Sequence, residues 1–182
     1  FHIRRNGIVL FNNHWKSKYG GAVETESYRR AAAGFVRERV AEIRNERPDL
    51  CIVVAGDLNE RVDEYAAVGG EYETALAVAA DESGGTLQLT GSWVEAESDP
   101  ELLFSPWLES TLKGSYAYAG VWEKIDHFLV GCSREGDGLV YEEFEVIDES
   151  FLLNNDGFPR RWSVSRADGY SDHLPIMLTL GS

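Results

Sequence analysis

Long apolar runs are what this sequence lacks most plainly. No stretch approaches the roughly 20 apolar residues that a membrane-spanning helix needs, so the chain is expected to be soluble. Basic residues are also scarce, with 17 Lys and Arg against 31 Asp and Glu and a net charge of -14. Nonspecific wrapping of a polyanion needs Lys and Arg clustered along a groove, and this balance disfavours it. A local phosphate site survives the argument, because a bound divalent cation reverses the sign of a pocket. Cysteine is nearly absent: Cys51 and Cys132 show no metal-ligand or redox spacing and are expected to be buried thiols. Repeats, low-complexity tracts and linkers are missing too, so residues 1–182 read as one domain, large enough to bury a real core. The first residue is Phe1 and not Met, so a leader upstream would be invisible. The compartment stays open, a secreted or extracytoplasmic bacterial location being one option.

What is present is organised around Cys51-Ile-Val-Val-Ala-Gly-Asp-Leu-Asn59. A short apolar run rich in β-branched residues reads as a buried strand, and α/β sheets place their chemistry where such strands end. Asp57 and Asn59 are two apart, so extended backbone would point both the same way. A carboxylate there can activate water or hold a metal, and an amide can hold a phosphoryl oxygen. Asp-Leu-Asn as a plain turn is the alternative.

Ahead of it, Gly7 to Trp15 alternates as a strand, with Ile8, Leu10, Asn12 and His14 on one face and Val9, Phe11, Asn13 and Trp15 on the other. From about Glu24, Tyr28, Ala32, Phe35, Val36, Val40 and Ile43 recur at helical spacing, with Arg and Glu expected on the outer face until Pro48 ends the helix. After Asn59, Glu71 to Ala80 has a helical composition, and Thr86 to Val94 could hold one or two strands. Ser98 to Lys113 reads as irregular and Ser115 to Ala119 as a short strand. Trp122 to Val130 and Val140 to Ile147 read as strands, Asn154 to Tyr170 as a polar loop, and Ser171 to Leu180 as a closing strand with Pro175 near its entry.

The same feature therefore occurs four times: a strand carrying unexpected acid, amide or imidazole groups. They are His14, the pair Asp57 and Asn59, Asp126, and the pair Asp172 and His173. Burying such groups without partners costs several kcal/mol, and the simplest partners are one another. His127, beside Asp126, points to the other strand face and is expected to pack in the core.

The blocks Asn13-His14-Trp15-Lys16-Ser17, Gly56-Asp57-Leu58-Asn59, Ile125-Asp126-His127 and Ser171-Asp172-His173-Leu174-Pro175 run along nearly the whole chain. In this order they resemble the metal-dependent endonuclease/exonuclease/phosphatase superfamily. The resemblance implies an α/β fold, the four-layer α/β/β/α sandwich of the deoxyribonuclease-like type. It also implies hydrolysis of a phosphoester with a divalent ion, Mg2+ or alternatively Mn2+ or Ca2+. Members of the superfamily carry an Asn and a metal-binding Glu upstream of the His-bearing strand. Only thirteen residues precede His14, so the principal Glu ligand is not in this chain. The chain is accordingly expected to be the C-terminal two-thirds of the domain, with a segment N-terminal to Phe1 completing the fold.

By position, the resemblance makes Asp57 the group that orients or deprotonates the attacking water and Asn59 the ligand of a phosphoryl oxygen. Asp172 would be the metal ligand in partnership with the Glu. His173 would contact the phosphate, with Asp126 fixing its other ring nitrogen, and His14 would make a second phosphate contact or act as leaving-group acid. Tyr116, Tyr118 and Trp122 could stack on a base, although strand aromatics are more often core, and Lys16 and Lys18 could meet phosphate. The expected partner is a phosphoester, either nucleic acid or a small or lipid phosphoester. A nuclease or phosphodiesterase is the leading reading. The alternatives are a phosphatase or sphingomyelinase-like enzyme, and a catalytically silent binding module.

Overall fold

A computed structural model of the protein describes residues 7–79, 85–132 and 138–181. The first strand, β1 (Ile8–His14), leads into α1 (Ala22–Glu46), which returns the chain to β2 (Cys51–Asp57), lying parallel to β1. Helix α1 stops where the sequence predicts: the Arg47 amide makes the last bond, to the Ile43 carbonyl, and Pro48 follows. A short helix α2 (Glu64–Ala67) precedes β3 (Thr74–Val78) and β4 (Gly85–Thr90), and α3 (Trp93–Ser98) precedes β5 (Leu102–Phe104). Then come the hairpin β6 (Tyr116–Tyr118) and β7 (Val121–Glu123), the central strand β8 (Asp126–Gly131), and the antiparallel pair β9 (Val140–Val146) and β10 (Ile176–Gly181).

Six of these strands form one mixed sheet in the order β1-β2-β8-β5-β4-β3. Alternation along β2 divides the core in two. Ile52 and Val54 face α1 and pack with Ala33, Val36, Val40 and Ile43, while Cys51 and Val53 face the other way, with Phe104, Val130, Leu178 and Leu180 against them. Helix, six-stranded sheet and two-stranded sheet thus make three successive layers of the expected sandwich. All three α-helices among the described residues touch the six-stranded sheet.

Several expectations are corrected. Residues 74–78 of the segment read as helical are β3, paired with β4 and packed against α1 and α2; a strand with consecutive residues buried loses the period-two alternation that would mark it, and Ala80 lies outside the described residues. The run from Trp122 to Val130 is broken into β7 and β8 at Lys124 and Ile125. On α1, Tyr28 and Phe35 face solvent, and the buried face is continued instead by Thr25, Glu26 and Arg29. The cysteines are not thiols: Cys51 and Cys132 stand opposite each other, one step beyond the Ile52–Gly131 pair of β2 and β8, and form a disulfide. A sequence separation of 81 carries no trace of that pairing.

Candidate active site

Strand register does most of the assembly. His14 of β1 pairs with Asp57 of β2, and Asp57 pairs with Asp126 of β8, so three residues remote in sequence lie in one row across three adjacent strands. Gly56 makes the close approach possible, because with φ at 125° any side chain there would run into the Asn13 carbonyl of β1. The turn that follows holds Asn59 at φ 52°, a left-handed conformation that Asn tolerates. Its amide N–H donates to Asp57 Oδ1 at 2.9 Å, and its side-chain Nδ2 donates to the Trp15 carbonyl at 3.2 Å. The Trp15 amide donates in turn to the Asp57 carbonyl at 2.9 Å, so the first two lips of the site are bonded to each other.

His173 arrives from the loop before β10. Ser171 Oγ accepts from the His173 amide at 3.0 Å, and the Leu174 amide donates to the Ser115 carbonyl at 2.7 Å, which pins the Ser-Asp-His block beside β6. Its ring Nδ1 lies 2.8 Å from Asp126 Oδ2, the same oxygen that accepts from Ser115 Oγ at 2.6 Å. A carboxylate can only accept, so Nδ1 carries the proton and Nε2 is left facing the mouth, 4.0 Å from Asp57 Oδ2. On the opposite side His14 Nε2 lies 3.6 Å from that oxygen. The Tyr116 ring covers His173 with centroids 4.5 Å apart.

These environments push the two titrating groups upward. Burial disfavours the Asp57 carboxylate and, with help from the nearby charge of Asp126, outweighs the Asn59 amide, so its pKa is raised. Burial opposes the charged form of His173, but the hydrogen bond and charge of Asp126, with Asp57 and Asp172 beyond, hold its pKa above the ordinary imidazole value.

Five of the six predicted site residues, His14, Asp57, Asn59, Asp126 and His173, are thus brought to one mouth. Asp172 is not in the cluster of ligand atoms formed by Asp57, Asp126 and His173, and its carboxylate lies 3.3 Å from Arg161. His127 is fully buried, and its Nε2–H donates to the Glu60 carbonyl at 2.7 Å. Burial lowers its pKa to about 4, which keeps it neutral. Of the aromatics, Tyr118 is exposed, Trp122 stacks on Phe158, and none of the trio is core. Lys18 is paired with Glu64 at 2.6 Å, and Lys16 Nζ donates to the carbonyls of Ser17 and Tyr19. Sequence reasoning missed Ser115, since a lone serine before a strand carries no signal. Beside the mouth, Ser17, Lys18, Tyr19, Gly20, Asn59, Tyr116, Tyr118, Glu123 and Ile125 line a cleft of about 520 Å³.

Among the described residues, one group of side chains could hold a metal ion. Asp57, Asp126 and His173 offer ligand atoms within 4.8 Å of one another, although Asp126 Oδ2 and His173 Nδ1 are engaged with each other. Asp172 is a carboxylate with a side chain one-third exposed and a weak surface pairing. Hard cations such as Mg2+ typically take one or two carboxylates and complete the shell with water and substrate oxygens.

The comparisons bear on the family and the fold. A model described as "Endonuclease/Exonuclease/phosphatase family" matches residues 2–182. Among solved structures, the crystal structure of humanized D. rerio TDP2 by 14 mutations is similar, with a TM-score of 0.54 at 16% identity over 96% of this chain and 55% of that one. That likeness speaks for the fold, and this chain spans little more than half of the relative's length. No curated protein matches.

Proposed function

This chain belongs to the Endonuclease/Exonuclease/phosphatase family, and we propose that it hydrolyses a phosphoester, as a nuclease or phosphodiesterase, at the mouth where His14, Asp57, Asn59, Asp126 and His173 meet. The single observation that carries the reading is the row of His14, Asp57 and Asp126 at matched register, closed by His173. Its side chains leave Asp57 Oδ2 and His173 Nε2 4.0 Å apart and partly exposed, with no hydrogen bond between them.

Phosphoester hydrolysis requires an aligned water, neutralised phosphoryl oxygens and a path for the leaving oxygen. Asp57 orients the water and accepts its proton; its raised pKa makes it a better base than an exposed carboxylate. The Asp126 carboxylate holds His173 in one tautomer and favours its charged form, so that Nε2–H can donate to a phosphoryl oxygen. Asn59 Nδ2 lies on the same lip for a second oxygen, and His14 is placed to contact the phosphate or protonate the leaving group. A divalent ion, when bound, supplies further neutralisation of the phosphate, and Asp172 would hold it. The neighbouring cleft offers Glu123 and a lysine already paired with Glu64, a charge balance that suits a diester more than a polyphosphorylated substrate. The disulfide favours work in an oxidising compartment.

The test is hydrolysis of plasmid DNA, bis-p-nitrophenyl phosphate and sphingomyelin by the full-length protein, each with Mg2+ and with chelator. Calorimetric Mg2+ titration of the wild type and Asp172→Asn accompanies it. Activity on the first two that chelator abolishes supports the reading, and cleavage of sphingomyelin alone moves it to the lipid class. Failure on all three with no metal binding leaves the silent binding module.

A further inference from the structure

Beneath the mouth lies a second group of charged side chains that the hydrolytic reading does not use. Arg29 of α1 is completely buried, as is Glu60, the residue directly after Asn59, and Glu26 is nearly so. Arg29 Nε donates to Glu60 Oε2 at 2.6 Å and its Nη2 to Glu26 Oε2 at 2.5 Å. The guanidinium also reaches three acceptors outside the acids. These are Thr25 Oγ1 at 2.9 Å, the Ala22 carbonyl at 2.9 Å, and the Lys16 carbonyl at 3.2 Å. Lys16 lies two residues after His14, so one planar cation bonds to both lips of the site.

The remaining valences tie in two more strands. Glu60 Oε1 and Glu26 Oε1 both accept from the Ala75 amide of β3, at 2.7 and 2.8 Å. The Glu60 carbonyl accepts from His127, the neighbour of Asp126 on β8. Two carboxylates around one guanidinium, closed to water, are a costly way to hold a helix on a sheet, and apolar residues of similar volume would do it at least as well. What apolar residues cannot do is fix the distance between a loop carbonyl and a turn through directed bonds.

We propose that Arg29, gripped by Glu26 and Glu60, is a positioning residue that sets the separation of the His14 lip from the Asp57–Asn59 lip, a role that rests on the hydrolytic reading above. Arg29 touches no substrate. It acts through the Lys16 carbonyl and the Glu60 side chain, and a loss of alignment of about 1 Å between lips costs on the order of 100-fold in rate. Lysine at position 29 keeps the charge but lacks the planar fork needed to reach Glu60 and Lys16 together.

The test compares Arg29→Lys and Glu60→Ala with wild type in the full-length protein, using bis-p-nitrophenyl phosphate for kinetics and two-dimensional amide NMR for structure. In folded Arg29→Lys, kcat is expected to fall about 10- to 100-fold with KM changed less than about 3-fold. The amide signals of Ser17, Leu58 and Asn59 are expected to shift together, and Glu60→Ala should move the same signals. A folded Arg29→Lys protein with wild-type kcat overturns the proposal, as does a rate loss that only tracks the unfolded fraction. If the wild type hydrolyses no phosphoester, the hydrolytic reading fails alone. The NMR arm still decides whether Arg29 couples the lips, and unshifted Ser17 and Asn59 signals in Arg29→Lys then refute it.

Discussion

Two clusters of acids and bases sit a few residues apart in this molecule, and they are built on opposite terms. In the upper one, Asp57, Asp126 and His173 keep side-chain exposures of 20, 14 and 27%, and Asp57 Oδ2 and His173 Nε2 face each other across 4.0 Å without a hydrogen bond. In the lower one, Glu26, Arg29 and Glu60 are sealed from water and bonded to one another and to the backbone around them. The difference separates a group that waits for a ligand from one that has already found its partners. Charge in a fold is therefore not itself a mark of chemistry; unspent hydrogen-bonding capacity at an open face is.

The sharpest way to break this comparison is to disarm the upper cluster. Asp57→Asn and His173→Ala should each lower kcat by about 10²–10⁴-fold while the circular dichroism spectrum stays native. Asp57→Asn should also unfold at a slightly higher temperature than wild type near neutral pH. The raised pKa of Asp57 means that the wild-type fold loses stability as pH climbs from the ordinary carboxylate range through that raised value, and the amide does not. A variant that unfolds earlier and retains its rate would place Asp57 in the other class.

Disarming the lower cluster should show in stability as well. Arg29→Met leaves the Glu26–Glu60 pair buried without its cation, and breaking a buried ion pair in this way costs about 3–5 kcal/mol, measured by urea unfolding. A loss below about 1 kcal/mol would mean that water reaches the cluster.

A third expectation concerns the pH–rate profile. Turnover should fall on the acid side as Asp57 takes up its proton, above the ordinary carboxylate range, and on the alkaline side as His173 loses its own, above the ordinary imidazole range. Removing the Asp126 partner with Asp126→Asn should draw the alkaline limb downward in pH, as read from kcat/KM.

A further expectation concerns the pH dependence of stability. Burial, and then the charge of Glu26, raise the pKa of Glu60 from 4.5 to about 8. The folded state thus holds a proton that the unfolded chain releases, and stability declines as pH rises from about 4.5 to about 8. Arg29, Tyr72, Glu64 with Lys18, and the neutral His127 stand around it. In Glu60→Gln that slope should be shallower over the same window, as measured by thermal unfolding at a series of pH values.

Legibility in the sequence follows the same division. The strand, helix, strand opening and the upper cluster were readable because polar residues interrupt apolar strands at their ends, where alternation makes them conspicuous. The lower cluster was not. Helical periodicity assigns apolar residues to the buried face, so Tyr28 and Phe35 were placed inward and Arg29 and Glu26 outward, the reverse of what the fold does. Nothing local marks Glu60 as the partner that makes burial of Arg29 tolerable. Strand β3 escaped notice because its consecutive residues are buried, and Ser115 because its value lies only in reaching Asp126.

The disulfide joins β2 and β8 at the end of the strands away from Asp57 and Asp126. A slip of one residue between paired strands would turn every side chain to the wrong face, and here it would also separate the two carboxylates. A covalent rivet at the tail of the ladder forbids that slide. The alignment of the business end is thus guarded from a point six residues distant along each strand.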